Sequence, residues 1–205
     1  IRYRLVGSEM CIRDRLYGGL YGTRIEDTEI SFGLNDVYKL HAVYESSDDN
    51  PPKIPYIVLS EATFFAPGTV ITGGTSGARA IVVSFINSTL RLYNVDLNGS
   101  AFSPGETVTG VDADNNVLTA TIDDADGSVE KGSKVITNQY ELNQAQNPFF
   151  YDVSRLVRKP GTTPPTRQLM AVFDYFIHEA SGDYFSGQSY TGIEFSDIPS
   201  PILKG

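Results

Sequence analysis

The chain has 205 residues, 16 basic against 25 acidic, and a net charge of −9; such a surface repels phosphate backbones and argues against nucleic-acid binding. Hydrophobic residues make up 40% of it, too many for a disordered chain, and it holds no apolar run of roughly eighteen residues that would form a membrane-crossing helix. With 19 Gly, 11 Pro, 12 Tyr and 11 Phe, no Trp, and many Thr and Val, the composition favours strands joined by tight turns.

Residues 1–15 stand apart. The run Met10-Cys11-Ile12-Arg13-Asp14-Arg15 reads like translated transposase-adapter DNA (ATG TGT ATA AGA GAC AG), so this segment is expected to be non-native and the gene to come from a metagenomic assembly; such segments are set aside before reasoning about fold. A signal peptide is the rival reading, but its apolar run is short and broken by Arg and Glu. Without 1–15 the sole cysteine, Cys11, is gone, and with it disulfides, Cys-based metal sites and a thiol nucleophile. Four Arg, Glu9 and Asp14 go too, leaving 12 basic and 23 acidic residues, a net charge of −11.

Residues 16–28, rich in Gly and Tyr, read as a loop or an arriving edge strand. Residues 36–45 alternate, with Tyr38, Leu40, Ala42 and Tyr44 on one face and Lys39, His41 and Glu45 on the other. Helical spacing of Val37, Leu40 and Tyr44 is the rival, and the aromatic and β-branched content favours strand. Residues 46–55 are a loop.

The clearest internal signal follows. Phe65-Ala-Pro-Gly-Thr-Val-Ile-Thr-Gly73 recurs as Phe102-Ser-Pro-Gly-Glu-Thr-Val-Thr-Gly110, an offset of 37. Pro-Gly suits the centre of a type II turn, where proline sets φ and glycine supplies φ > 0. Each copy then feeds a short strand and a longer one, 78–85 in the first and 117–122 in the second, with 90–95 alternating between them. Two copies are too few for a solenoid, so a small β-barrel or packed hairpins are expected.

After the acidic turn 123–127 the pattern predicts a strand over 133–142, with Ile136, Asn138, Tyr140 and Leu142 on one face. A Pro-rich loop covers 159–166, and the longest strand runs over 168–179, with Leu169, Ala171, Phe173, Tyr175 and Ile177 on one side. The organisation expected is 1–15 non-native, 16–58 an N-terminal β segment and loop, 59–127 a repeat-containing β module, and 128–205 a β-sandwich-like region. The fold class is all-β.

Catalytic chemistry finds little purchase. His41 and His178 each stand alone, without metal-ligand spacing, and read as ordinary surface or strand histidines. Gly73-Gly-Thr-Ser-Gly77 lacks the lysine and helix of a phosphate loop and reads as a turn. Asp112, Asp114 and Asn116, with Asp123 further on, have the alternate oxygen ligands of a calcium loop, but Val117 stands where that loop needs glycine; a polar hairpin turn is preferred. Residues 182–190 could stack sugars on their aromatics, against a strand–turn–strand packed at an interface. No catalytic residue and no cofactor is assigned.

Three blocks carry a family resemblance. They are Ile30 through Ser46; the Pro-Gly repeat with Thr75-Ser-Gly-Ala-Arg-Ala80; and Tyr140 through Phe150-Tyr-Asp-Val-Ser-Arg-Leu-Val-Arg-Lys159 to Val172-Phe-Asp-Tyr-Phe176, Gly182-Asp-Tyr-Phe185, Ser189-Tyr190 and Asp197-Ile-Pro199. Over about 28–199 the chain resembles large tail structural proteins, of fibre or baseplate type, from marine T4-like bacteriophages. It departs from them at Asn143-Gln-Ala-Gln-Asn147, where the family tends to have Gly-Gln-Arg-Asp, and in lacking the arginine-rich and Asp-Phe-Arg-Pro stretch that follows the Ile-Pro. The resemblance implies a non-enzymatic part of the virion, continuing in a longer parent protein. Its partners would be other tail proteins or copies of itself, and its place the phage tail, without membrane insertion. A carbohydrate-binding module that recognises host surface glycan is the alternative.

An adapter-derived tail cannot have co-evolved with a core. Removing residues 1–15 is therefore expected to leave the melting temperature unchanged, and a drop of several degrees in a thermal melt would show that the segment belongs to the fold.

Overall fold

A computed structural model describes residues 2–5, 25–146 and 153–175. In chain order the strands are β1 (Arg2–Leu5), β2 (Glu29–Ser31), β3 (Val37–Glu45), β4 (Tyr56–Val58), β5 (Val70–Gly73), β6 (Arg79–Ile86), β7 (Arg91–Asp96), β8 (Thr107–Val111), β9 (Val117–Thr121), β10 (Val129–Glu130), β11 (Lys134–Val135), β12 (Tyr140–Asn143), β13 (Arg155–Arg158) and β14 (Leu169–Tyr175). The protein is all-β: two 3-10 turns, Asn87–Thr89 and Thr137–Gln139, are the helical residues among those described. All strand pairs are antiparallel.

Three sheets result, ordered β1-β14-β3-β11, β10-β4-β7-β6-β5-β8-β9 and β12-β13-β2. None closes into a barrel, so the repeat is built as packed hairpins. The four-stranded sheet is the middle layer. Leu169 and Phe173 of β14, with Val37 and Val43 of β3, pack against Ile30, Tyr140 and Leu156 of the three-stranded sheet. Met170 and Val172, with Ala42 and Tyr44, pack the other way, against Val83 and Val95 of the seven-stranded sheet. The second face of the seven-stranded sheet is covered by the chain's own loops, with Leu59, Phe65 and Phe102 closing over Ile71, Val82, Leu92 and Val108. The seven-stranded sheet holds all the strands from β4 to β10, while β2 and β3 pair with β13 and β14. The N-terminal and C-terminal segments thus form joint layers around the repeat.

The strand expected at 168–179 is present as β14, with Leu169, Ala171, Phe173 and Tyr175 on one core; Ile177 and His178 lie outside the described residues. Two expectations are corrected. In 36–45 the alternation is broken, because pairing with β14 skips His41, between Ala42 and Leu40, and Tyr38, between Lys39 and Val37. Each skipped residue is a bulge, which reverses the faces that follow. Leu40 therefore joins one core and Ala42 and Tyr44 the other. Residues 133–142 are not one strand either. The 3-10 turn at Thr137–Gln139 carries the chain from β11 in the middle sheet to β12 in the three-stranded one. Ile136, Tyr140 and Leu142 still reach one core, but around a corner, and Asn138 is exposed.

The repeat forms a local two-fold. β5 pairs with β8 so that Thr72 faces Thr109, its own counterpart at offset 37, with Ile71 opposite Gly110 and Gly73 opposite Val108. Exchanging the two copies maps this register onto itself. Ile71 pairs with Ala80 and Val108 with Ala120, so the offset grows from 37 to 40 and the second hairpin is longer by three residues. Both Pro-Gly segments are closed turns: Thr69 N donates to Ala66 O at 3.0 Å and Glu106 N to Ser103 O at 3.3 Å, with φ +89° at Gly68 and +75° at Gly105. These are type II values. Gly68→Val and Gly105→Val should each destabilise by about 1–2 kcal/mol, since a β-branched side chain resists positive φ. Chemical denaturation of the two variants checks this, and neutrality of both would overturn the turn assignment.

Candidate functional site

The most elaborate polar arrangement joins the two copies of the repeat. Glu106, directly after the second Pro-Gly, is 5% exposed and reaches the glycine-rich loop of the first hairpin. Its Oε2 accepts the backbone N–H groups of Thr75 (3.0 Å) and Ser76 (2.9 Å). Its Oε1 accepts Ser76 Oγ (2.7 Å) and the N–H of Ser103 (2.7 Å). A carboxylate offers about four acceptor sites, and four donors fill them. Gly73 makes room: a Cβ there would lie 2.5 Å from Ser76 Oγ and 2.8 Å from either carboxylate oxygen. The two-fold partner of this contact is apolar. Thr69, the counterpart of Glu106, places its methyl 3.0 Å from where a Cβ on Gly110 would be.

The glycine-rich loop does hold an anion, but an internal one. Successive N–H groups in a turn make an anion-binding concavity, and Glu106 fills it. Nothing singled Glu106 out beforehand. The signal lay in the repeat, where the position is Thr in one copy and Glu in the other, and a carboxylate held at such a turn needs donors.

The acidic run of the second hairpin is its extension by three residues. Asp112 Oδ1 accepts the N–H groups of Asp114 (2.9 Å) and Asn116 (2.8 Å), and its Oδ2 accepts the Asn116 side-chain amide (3.0 Å). Asn115 supplies the left-handed residue, φ +62°. These bonds make the polar hairpin turn. Asp123 is not brought to it: it sits past the far end of β9, with Oδ1 on the N–H of Ala125 at 2.9 Å. Among the described residues no three His, Cys, Asp or Glu converge as metal ligands.

His41 is a strand histidine of β3 whose side chain is buried. It and Tyr38, the two bulge residues of β3, both reach Asp174 on β14. His41 Nε2 lies 2.8 Å from Asp174 Oδ2, and the Tyr38 hydroxyl donates to the same oxygen at 3.3 Å. The His41 and Asp174 side chains are 3% and 4% exposed. Facing a carboxylate, Nε2 is the nitrogen that carries the hydrogen. The bulges thus turn two polar side chains onto a carboxylate that the middle sheet buries, where it would otherwise be costly. Glu45, placed on the polar face by the alternation, is also buried, accepting Lys134 Nζ (2.9 Å) and the N–H of Thr166 (3.0 Å). Of the 143–147 loop, Gln144 donates to Tyr38 O at 3.1 Å. The aromatic run 182–190 lies outside the described residues.

Compared with protein-family models, curated proteins and solved structures, the chain has no match.

Burial pushes the Glu106 carboxyl up, but the bonds from Ser76, Ser103 and Thr75 outweigh it and hold it below the usual carboxylate range. Burial likewise opposes, and the bonds from Lys134 and Thr166 carry, the same downward shift at Glu45. A depressed folded pKa adds stability above the unfolded value, about 4.3 for Glu, and that contribution is lost as the pH falls through the folded value. Melting temperature should therefore fall steeply below about pH 4.3, and less steeply in Glu106→Gln; parallel profiles would overturn this. Glu106→Ala, which orphans three N–H groups, should cost on the order of 3 kcal/mol at neutral pH. Gly73→Ala, which displaces the carboxylate, should cost a similar amount.

Proposed function

We propose that this chain is a non-enzymatic structural module of a bacteriophage virion, of tail-fibre or baseplate type, whose partners are other tail proteins or copies of itself. It works by packing: layered sheets present strand edges and apolar side chains that a neighbour covers. The resemblance over 28–199 supports the reading, and one structural observation carries it. The β8–β9 hairpin ends the seven-stranded sheet, and its edge strand β9, Val-Leu-Thr-Ala-Thr, has no charged residue. Beside it Val111 and Val117, paired across the hairpin, are 52% and 67% exposed. Ser60 covers the end of this edge, its N–H donating to Thr121 O at 2.9 Å, but the rest of β9 has none of the charge, proline or bulge with which soluble proteins usually blunt an edge, which suits a surface that becomes covered on assembly. The buried polar groups fit the same role. Glu106 has its acceptor sites filled by the repeat's own donors, and Asp174 Oδ2 is bonded by His41 and Tyr38 within the middle sheet.

Two measurements test the structural reading. Mass spectrometry of purified phage particles should find peptides of this chain, and sedimentation of the chain should show more self-association than its negative charge suggests. A monomeric chain whose peptides are absent from particles would sink the proposal.

A further inference from the structure

The face of the seven-stranded sheet that carries Val83 and Val95 is covered by the middle sheet over only part of its width. On this face one apolar row crosses β7, β6, β5, β8 and β9. Val95 stands opposite Ile81, Ile81 opposite Val70, and Val111 opposite Val117. β5 pairs with β8 at Ile71 and Gly110, which makes Val70 and Val111 neighbours in the same row. Exposure rises along it, from 6% at Val95 to 38% at Val70, 52% at Val111 and 67% at Val117. The row begins beneath the middle sheet and runs out into solvent. Thr72, Thr109 and Thr119, opposite one another in the next row, extend the open area, and none of β5, β8 and β9 holds a charged residue.

Copies of a chain with net charge −9 repel one another, and an uncharged face is where that repulsion opposes contact least. The rim of this face carries both signs. To one side stands Arg79 of β6, opposite Thr72 and exposed. At the end beyond Val111 and Val117 stands the hairpin tip with Asp114, also exposed. Neither side chain has an ion pair among the described residues. We infer that this face docks a second copy of the chain, packed face to face about a two-fold axis so that Arg79 of each copy meets the acidic hairpin tip of the other. A two-fold contact uses the same patch on both copies, so the patch must complement itself. A centre of Val and Thr, with a cation on one rim and a carboxylate on the next, meets that condition. Arg79 lies two strands to the side of Thr109, and Asp114 lies along the strand from it. The axis that exchanges them passes near Thr109 and sets the strands of the two sheets crossing, as in orthogonal sheet packing. The three strands have only four or five residues each, and contacts below about 1,200 Å² in total are weak and transient, so the pair forms where copies are concentrated. The inference rests on the structural reading above and names the partner which that reading leaves open.

Sedimentation of the full chain at rising concentration is the test, and a reversible monomer–dimer equilibrium is the expected result. Thr109→Arg, which sets like charges against each other across the axis, should weaken the dimer about tenfold or more without lowering the melting temperature. Arg79→Glu should weaken it as well, and adding Asp114→Arg to Arg79→Glu should restore it, a rescue that loss of folding cannot produce. Self-association that ignores Thr109→Arg and Arg79→Glu would overturn the inference and leave the virion role standing. So would a monomeric chain whose peptides are found in phage particles. If Thr109→Arg melts lower, the charge swap decides alone, and a double variant that fails to regain the dimer overturns the inference.

Discussion

The pairing of β3 with β14 is the constraint from which the rest of the architecture follows. These two strands are the interior of the middle sheet, and over 42–45 of β3 and most of β14 both of their faces are buried, one against the three-stranded sheet and one against the seven-stranded sheet. A strand covered on both sides has no solvent face on which to place polar residues. Every polar side chain along it therefore needs a partner inside the protein. Asp174 meets this demand by drawing on His41 and Tyr38, and both are available because β3 bulges at those residues. The bulges also decide which core each later residue of β3 joins. One buried carboxylate and the register that serves it are linked, and the two outer layers take their positions from that register.

The repeat shows the same logic in a symmetric frame. Antiparallel pairing about Thr72 and Thr109 sets each Pro-Gly turn over the other copy's glycine. At one end the contact is a methyl over Gly110. At the other it is a carboxylate over Gly73 with four donors. The second arrangement ties the loop of the first hairpin to the turn of the second, so the two hairpins are held both by strand pairing and by a buried charge-assisted cluster. The copies differ where the geometry allows it. The first hairpin has a short glycine loop that wraps an anion, and the second is longer by three residues with its tip closed by Asp112.

Local patterns were readable from the residues, and non-local pairings were not. Pro67-Gly68 and Pro104-Gly105 act over four residues, and both turns have the expected form. The alternation of β14 holds over its described length because no bulge interrupts it. The alternation of 36–45 misled because its bulges answer to Asp174, more than 130 residues away in sequence. For 133–142, the apolar spacing of Ile136, Tyr140 and Leu142 was right about burial but silent about the 3-10 turn between them, since a corner between two sheets is set by what each half pairs with. Glu106 was missed for the same reason: its donors at Thr75 and Ser76 lie about 30 residues back. Whether the repeat closes into a barrel or stays open depends on edge pairing, which composition does not encode.

Buried polar atoms divide this molecule into parts that serve folding and parts that fold in spite of a cost. Glu106, Glu45 and Ser154 are buried and bonded, Ser154 accepting the N–H of Val37 at 3.3 Å. Other buried atoms lack an acceptor or donor, among them the Tyr44 hydroxyl, the Tyr140 hydroxyl and Asp174 Oδ1. Burial, with the charge of Asp96 added, pushes the Tyr44 hydroxyl up, and burial pushes that of Tyr140 up to about 12, so each keeps its hydrogen. The two tyrosines lie within packed cores, where an aromatic body contributes far more than one unmade bond removes. Asn94 and Ser84 have no aromatic body to set against their unpartnered Nδ2 and Oγ, because their side chains are short and mostly polar. Their cost is met by the apolar side chains beside them, Val83 and Val95, which the same strands bury, since a fold needs only the sum of its terms to be favourable.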